Sequence, residues 1–161
     1  MLPHVDAAYN LARWLTRNDH DAEDVLQDAM LRAYRFFGGL RGEARPWLLA
    51  IVRNACWTWL RANRPAELAA SDEPEADIPG PEAILARELD RRVVNEAIAA
   101  LPVPYREALV LRELEELSYK EIARIADVPI GTVMSRLSRA RRLLAEALKP
   151  PTAAPRLRVH K

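Results

Sequence analysis

Along the 161-residue chain, apolar positions recur at spacings of three and four, and no stretch alternates with period two over any distance. Periodicity of that kind predicts helices over Val5–Asn18, Ala22–Phe37, Ala44–Ala62, Pro81–Leu101, Pro104–Leu117, Tyr119–Ala126 and Thr132–Leu148. Gly38, Gly39 and Gly42 break the chain after the second segment, while Pro102 and Pro104 separate the fourth from the fifth.

The period fails in two places. Residues 65–80 hold prolines, small residues and acids without a hydrophobic repeat, which reads as a linker. Residues 150–161 are proline-rich and basic, a tail expected to be disordered. The expected architecture is therefore all-α: one small helical domain over 1–64, a flexible acidic linker over 65–80, and a second helical domain over 81–149.

Charge sharpens that division. The formal net charge is only +1, yet Glu67, Asp72, Glu73, Glu75, Asp77 and Glu82 make the stretch from Pro65 wholly acidic. From Gly131 to Lys149 the charges are almost all basic, with Arg136, Arg139, Arg141 and Arg142. Opposite charge in separate segments suggests a nucleic-acid face beside an acidic tether.

Composition narrows the chemistry further. No apolar run approaches the ~20 residues that span a bilayer, and residues 1–17 lack a signal-peptide layout, so a soluble cytoplasmic protein without membrane insertion is expected. Cys56 is alone and reads as a small buried hydrophobe; His4, His20 and His160 are scattered. No metal site, cofactor or catalytic constellation is expected, and the aspartates near the second helix start suit its dipole better than catalysis.

The segment from Leu117 to Leu148 carries the sharpest signal. Ser118 and Glu121 form the spacing of a capping box that starts a short helix, and Asp127-Val128-Pro129 stops it. Gly131-Thr132 then opens a longer basic helix, the layout that sets a recognition helix in the major groove. On a helical wheel Val133, Leu137, Ala140 and Leu144 face inward. Thr132, Ser135, Ser138, Arg139 and Arg142 face outward with Arg136 at the flank, offering hydroxyls and guanidiniums to phosphates and guanine edges.

In the second segment Ala22, Val25, Leu26, Ala29, Ala33 and Phe36 form the expected buried side. Leu31 projects from the opposite face among Asp24, Gln27, Asp28 and Arg35, the arrangement of an apolar contact with a polar rim. The third segment sets Arg53, Arg61 and Arg64 near Trp57 and Trp59, with Asn54 beside Arg53; aromatics among cations suit unpaired bases. Trp47, Leu48, Ile51 and Val52 are spaced like a core seam, with Trp47 expected to be buried, and core packing is favoured over base contact for Trp57 and Trp59.

The three stretches DAEDVLQDAMLRAYR, RPWLLAIVRNACWTWLR and LPVPYREALVLRELEELSYKEIARIADVPIGTVMSRLSRARRLL together resemble the extracytoplasmic-function (ECF) sigma factors of bacterial RNA polymerase. The resemblance runs from the N-terminus to Leu148 apart from the linker. It implies sigma domains two and four without a domain three, and binding in place of catalysis. Asp24, Gln27, Asp28 and Leu31 would dock on the coiled coil of the polymerase beta-prime subunit. Arg53, Asn54 and the Cys56–Arg61 stretch, including Trp57 and Arg61, with Arg64 after them, would melt and read the −10 element of promoter DNA. Thr132, Ser135, Arg136 and Arg139 would read the −35 element, with Arg141 and Arg142 on phosphate or polymerase.

The resemblance also implies that the acidic linker occupies the RNA-exit path and that an anti-sigma factor controls the protein. Where family members often carry an Asp a few residues after the Arg-Asn pair, this chain has Thr58, followed by a thinner basic run. Its start lies so near the first helix that a short leading helix is expected to be missing or encoded upstream. Two other readings remain: a decoy that sequesters an anti-sigma factor, and a free-standing helix-turn-helix regulator. The first should have lost its basic face, and the second would not need the patch around Leu31.

Overall fold

Local signals at the helix ends set the first bundle. Helix α1 (Val5–Thr16) ends at Arg17, whose backbone turns left-handed at φ 61° and whose N–H returns to the Arg13 carbonyl at 2.8 Å. The Asn18 side chain then accepts from the Asp21 N–H at 2.9 Å and starts helix α2 (Asp19–Phe36). That cap, with Asp19 and Asp21 in the first turn, begins the helix before the expected Ala22. Helix α3 (Ala44–Asn63) follows the break at Gly42, where φ is 84°.

The computed structural model describes residues 2–39, 42–69 and 90–149, and among these no strand occurs. Helices α1, α2 and α3 pack against one another in all three pairings. Their core holds Leu11, Leu15, Val25, Leu48, Val52 and Leu60, with Ala22, Ala29 and Ala33 giving α2 a small-residue seam. Cys56 is fully buried there. Two expectations are corrected. Phe36 is 60% exposed, because it is the last residue of α2 and lies past the packed region. Trp47 is only partly buried, meeting Phe37 edge-on at 5.9 Å.

The segment read as linker opens instead with a helical turn, α4 (Pro65–Ala69), with Pro65 at its first position. Leu68 packs on the core, and Glu67 lies 3.4 Å from Arg17 and 3.8 Å from Arg64. The rest of the expected linker, the first part of the helix predicted from Pro81 and the tail from Pro150 lie outside the described residues.

The second bundle begins with α5 (Arg91–Ala99), capped by the Asp90 side chain on the Arg92 N–H at 3.1 Å. Helix α6 (Val103–Leu109) widens into a π-helical turn over Val110–Leu114, where the Glu115 N–H reaches five residues back to Val110. The expected single helix to Leu117 therefore ends early, and Glu116 turns the chain at φ 59°. Helices α7 (Tyr119–Ala126) and α8 (Ile130–Ala147) complete the bundle. Helix α1 meets α6 and α3 meets α7, so the buried residues of both bundles form one continuous core.

Candidate nucleic-acid interface

The helix-turn-helix is built as its sequence requires. The Ser118 hydroxyl accepts from the Glu121 N–H at 3.0 Å, and the Glu121 carboxylate accepts from the Ser118 N–H at 2.9 Å. Asp127 closes α7 in the left-handed conformation at φ 60°, a role open to Asp because its short polar chain tolerates that region. Pro129 caps α8, which begins at Ile130, before the expected Thr132. Val133, Leu137, Ala140 and Leu144 are buried as their spacing predicts.

The opposite face is less open than the wheel implies. Thr132, Ser135, Arg136, Arg139 and Arg142 are all half-buried, because α5, α6 and α7 each pack on α8 and leave little of its circumference to solvent. The Ser135 hydroxyl donates to the Gly131 carbonyl at 3.2 Å, and Arg142 lies 3.8 Å from Glu146. Ser138 and Arg139 also hold interactions within the chain. Arg141 donates to Glu113 at 2.9 Å. At the start of α8, Ile130 and Met134 stand exposed, a pair the sequence reading passed over.

On α2, Asp24, Gln27 and Asp28 are exposed and Leu31 is 63% exposed. Tyr34, one helical step beyond Leu31, is 79% exposed and prolongs the same ridge. Sequence reasoning missed Tyr34, although its spacing of three from Leu31 was available. The Arg32–Asp28 ion pair at 3.2 Å runs along the helix beside it, and the His20 ring lies 3.9 Å from the Asp24 carboxylate.

On α3, Arg53 lies over the Trp57 ring at 4.2 Å and Arg64 over Trp59 at 4.8 Å. Their polar atoms meet other parts of the chain. Arg53 Nε and Trp57 Nε1 both donate to one oxygen of Glu107 on α6, at 2.8 and 2.6 Å. Arg64 donates to the Thr16 carbonyl at 2.6 Å and to Asp21 at 3.1 Å, pinning the end of α1. Asn54 and Arg61 remain exposed, with the Asn54 side chain accepting from Arg53 at 3.4 Å.

Between the bundles lie two charged residues that the sequence reading did not single out. Arg106 is 2% exposed and donates to the Trp14 and Leu15 carbonyls of α1 and to Ala99 and Leu101 of its own bundle. It thereby satisfies carbonyls at the open C-terminal end of α1. Burial pushes its guanidinium down to about 10, the Arg17 cation adding in the same direction, so it stays charged near neutrality. Glu107 is 1% exposed. Burial first, then Glu107, drive the Cys56 thiol up to about 12, with Arg53 opposing. Arg45 closes a further contact, donating to the Glu115 carboxylate at 2.9 Å and to its backbone carbonyl at 2.7 Å.

Among the described residues, no helix is long and apolar enough to cross a membrane, and no group of His, Cys, Asp and Glu is placed to hold a metal ion.

Residues 2–65 match the family model of Sigma-70 region 2, and residues 91–144 match that of Sigma-70, region 4. The RNA polymerase sigma-H factor of Pseudomonas aeruginosa is 38% identical over 143 residues, covering 81% of this chain and 74% of that protein. The ECF RNA polymerase sigma-E factor of Haemophilus influenzae is 38% identical over 154 residues, covering 87% and 80%. Among solved structures, the sigma factor RpoE in complex with the anti-sigma factor NepR from Bartonella quintana aligns with TM-score 0.71 and 28% identity, covering 91% of this chain and 92% of that one. CnrH in complex with the cytosolic domain of CnrY aligns with TM-score 0.65 and 25% identity, covering 91% and 83%.

Proposed function

The chain belongs to the ECF sigma factors of the sigma-70 family, alternative sigma factors that direct transcription initiation, and from that premise we propose how its surface divides the work. The first bundle, residues 1–64, holds core RNA polymerase and the −10 element. The second, residues 81–149, holds the −35 element. Residues 65–80 tether them, the helical turn at Pro65 belonging to the first bundle's surface, and 150–161 form a tail.

Asp24, Gln27, Asp28 and Leu31 dock on the beta-prime coiled coil. The observation that carries this assignment is the exposed apolar ridge of Leu31 and Tyr34 bordered by carboxylates, a hydrophobic anchor with a charged rim. Arg53, Asn54, Trp57, Arg61 and Arg64 serve the −10 element, where cations and indole rings suit a single strand. Thr132, Ser135, Arg136, Arg139 and Arg142 serve the −35 duplex, the N-terminal part of α8 nearest the bases.

The mechanism needs no covalent step, and the chain acts by binding alone. Core polymerase fixes the separation of the two bundles, so that one DNA contact makes the other effectively intramolecular. Capture of unpaired bases offsets about a few kcal/mol of unstacking. The site of action is the cytoplasm. An anti-sigma factor is the fitting regulator, because two of the structural neighbours were solved as complexes of that kind, RpoE with NepR and CnrH with the cytosolic domain of CnrY. The basic residues kept on α8 favour this reading over a decoy.

Run-off transcription with purified core polymerase and a promoter library tests the assignment. Leu31→Asp should lower core affinity by at least about tenfold, the scale of losing an interface anchor, with the thermal unfolding of the free chain unchanged. A wild-type chain that fails to associate with core polymerase would refute it.

A further inference from the structure

We propose, resting on the reading that α8 serves the −35 duplex, that Ile130 and Met134 select thymine there. At the N-terminal end of α8 they pack on the C5-methyl groups of A·T pairs, so the pair sets part of the promoter preference.

Ile130 is 42% exposed and Met134 50% exposed. A single exposed apolar side chain is ordinary. These two stand four residues apart, so they lie one above the other and make one apolar surface over the first two turns. Val133, Leu137, Ala140 and Leu144 turn inward on the same helix and are buried. The exposed pair occupies the end by which a recognition helix meets base edges. Beside it Gly131 is also exposed, and a Cβ added there would meet nothing within 4 Å. With no side chain at that point, the helix can come close to the floor of a groove. On α7, Lys120 and Arg124 are exposed and four residues apart, cations on the helix that crosses the phosphate backbone in this motif. An apolar tip beside basic shoulders fits duplex DNA.

The polar atoms nearby decide which base pair is satisfied. The Ser135 hydroxyl gives its one hydrogen to the Gly131 carbonyl at 3.2 Å, which leaves it an acceptor. In the major groove an acceptor meets adenine N6 or cytosine N4, and an apolar surface meets the thymine methyl. An A·T pair presents both, an amino group and a methyl side by side. A G·C pair presents the cytosine amino group without a methyl, and guanine O6 set against Ile130 or Met134 would lose water and gain no donor. Guanidiniums such as Arg136 suit guanine edges, so the apolar pair adds a preference that the arginines do not supply.

The test uses the full chain assembled with core polymerase, on a duplex promoter library with a fixed −10 region and a randomised −35 region. The enriched −35 element is resynthesised with deoxyuridine in place of each thymine in turn, which removes the C5-methyl alone. Binding of the labelled duplexes is followed by anisotropy. Expected is at least one thymine whose replacement weakens binding by about three- to tenfold. The double variant Ile130→Thr, Met134→Gln should bind the thymine and deoxyuridine duplexes alike, whereas Met134→Leu, which stays apolar, should keep the difference. Met134→Gln alone should shrink it, in case the double variant folds poorly. An enriched element without thymine, or one whose thymines can all be replaced without loss, overturns the proposal and leaves the −35 reading standing. So does a folded double variant that still discriminates, or one that loses affinity for core polymerase, since the pair would then be a protein contact. If no −35 sequence is enriched at all, the −35 reading itself fails and the proposal falls with it.

Discussion

Arg106 and Glu107 stand side by side in a run that is otherwise apolar from Leu101 to Leu111, and each is buried by a different neighbour. Arg106 serves the end of α1, whereas Glu107 serves the side of α3. Cys56 lies close enough to Glu107 for its charge to count, but burial is the larger reason that its thiol resists ionisation. Because burial lifts the folded thiol to about 12 from its ordinary value of 9.0, the folded chain keeps a proton that the unfolded chain loses above about 9. This thiol therefore contributes stability that is complete below that pH and is lost as pH rises toward 12. The expected outcome is that a thiol reagent at a pH of about 8.5, where ordinary thiols react, labels native chain only as fast as the chain opens and labels urea-unfolded chain at once. Rapid labelling of native protein would place Cys56 at the surface. The sequence did reveal a lone buried cysteine, but not its charged neighbours. Periodicity reports that a position is covered and is silent on what covers it.

At the scale of elements, capping decided how much could be read. Ser118 and Glu121 announce α7 by spacing alone, and both reciprocal hydrogen bonds are present. Asn18 caps α2, yet the apolar period assigns Asn18 to the preceding helix and resumes only at Ala22, so periodicity places the helix start late. The π-helical turn over Val110–Leu114 has no such signal, because its widened hydrogen bonds answer to packing between α6 and the helix-turn-helix. Arg112 spans that turn, donating to the Leu117 carbonyl at 2.9 Å and lying 4.7 Å over the Tyr119 ring. The orientation of α7, and through it α8, is thus fixed at its first residue. Ser118→Ala should cost about 1 kcal/mol of unfolding free energy, read by urea titration, with Ser118→Asp recovering most of it. A variant as stable as wild type would mean that tertiary packing alone holds α7.

For the molecule as a whole, the two helical blocks and their faces were legible, while their closure on each other was not. Contacts such as Arg53 to Glu107 join residues far apart in the chain, and only the folded topology brings them together. Closure has a consequence for how mutations should sort. Leu31 and Tyr34 stay exposed with the two bundles packed together, so the proposed polymerase contact is open to a partner. The α8 residues proposed to read the −35 duplex are half-buried against their own bundle and lie on a different element from the α2 ridge. Arg139→Ala should therefore lower run-off transcription from cognate promoters by about ten- to a hundredfold, the range for losing a guanidinium that reads a base, while a titration with core polymerase gives unchanged affinity. Equal loss in both measurements would place α8 in the polymerase contact as well and remove the separation between the grip on the enzyme and the grip on the promoter.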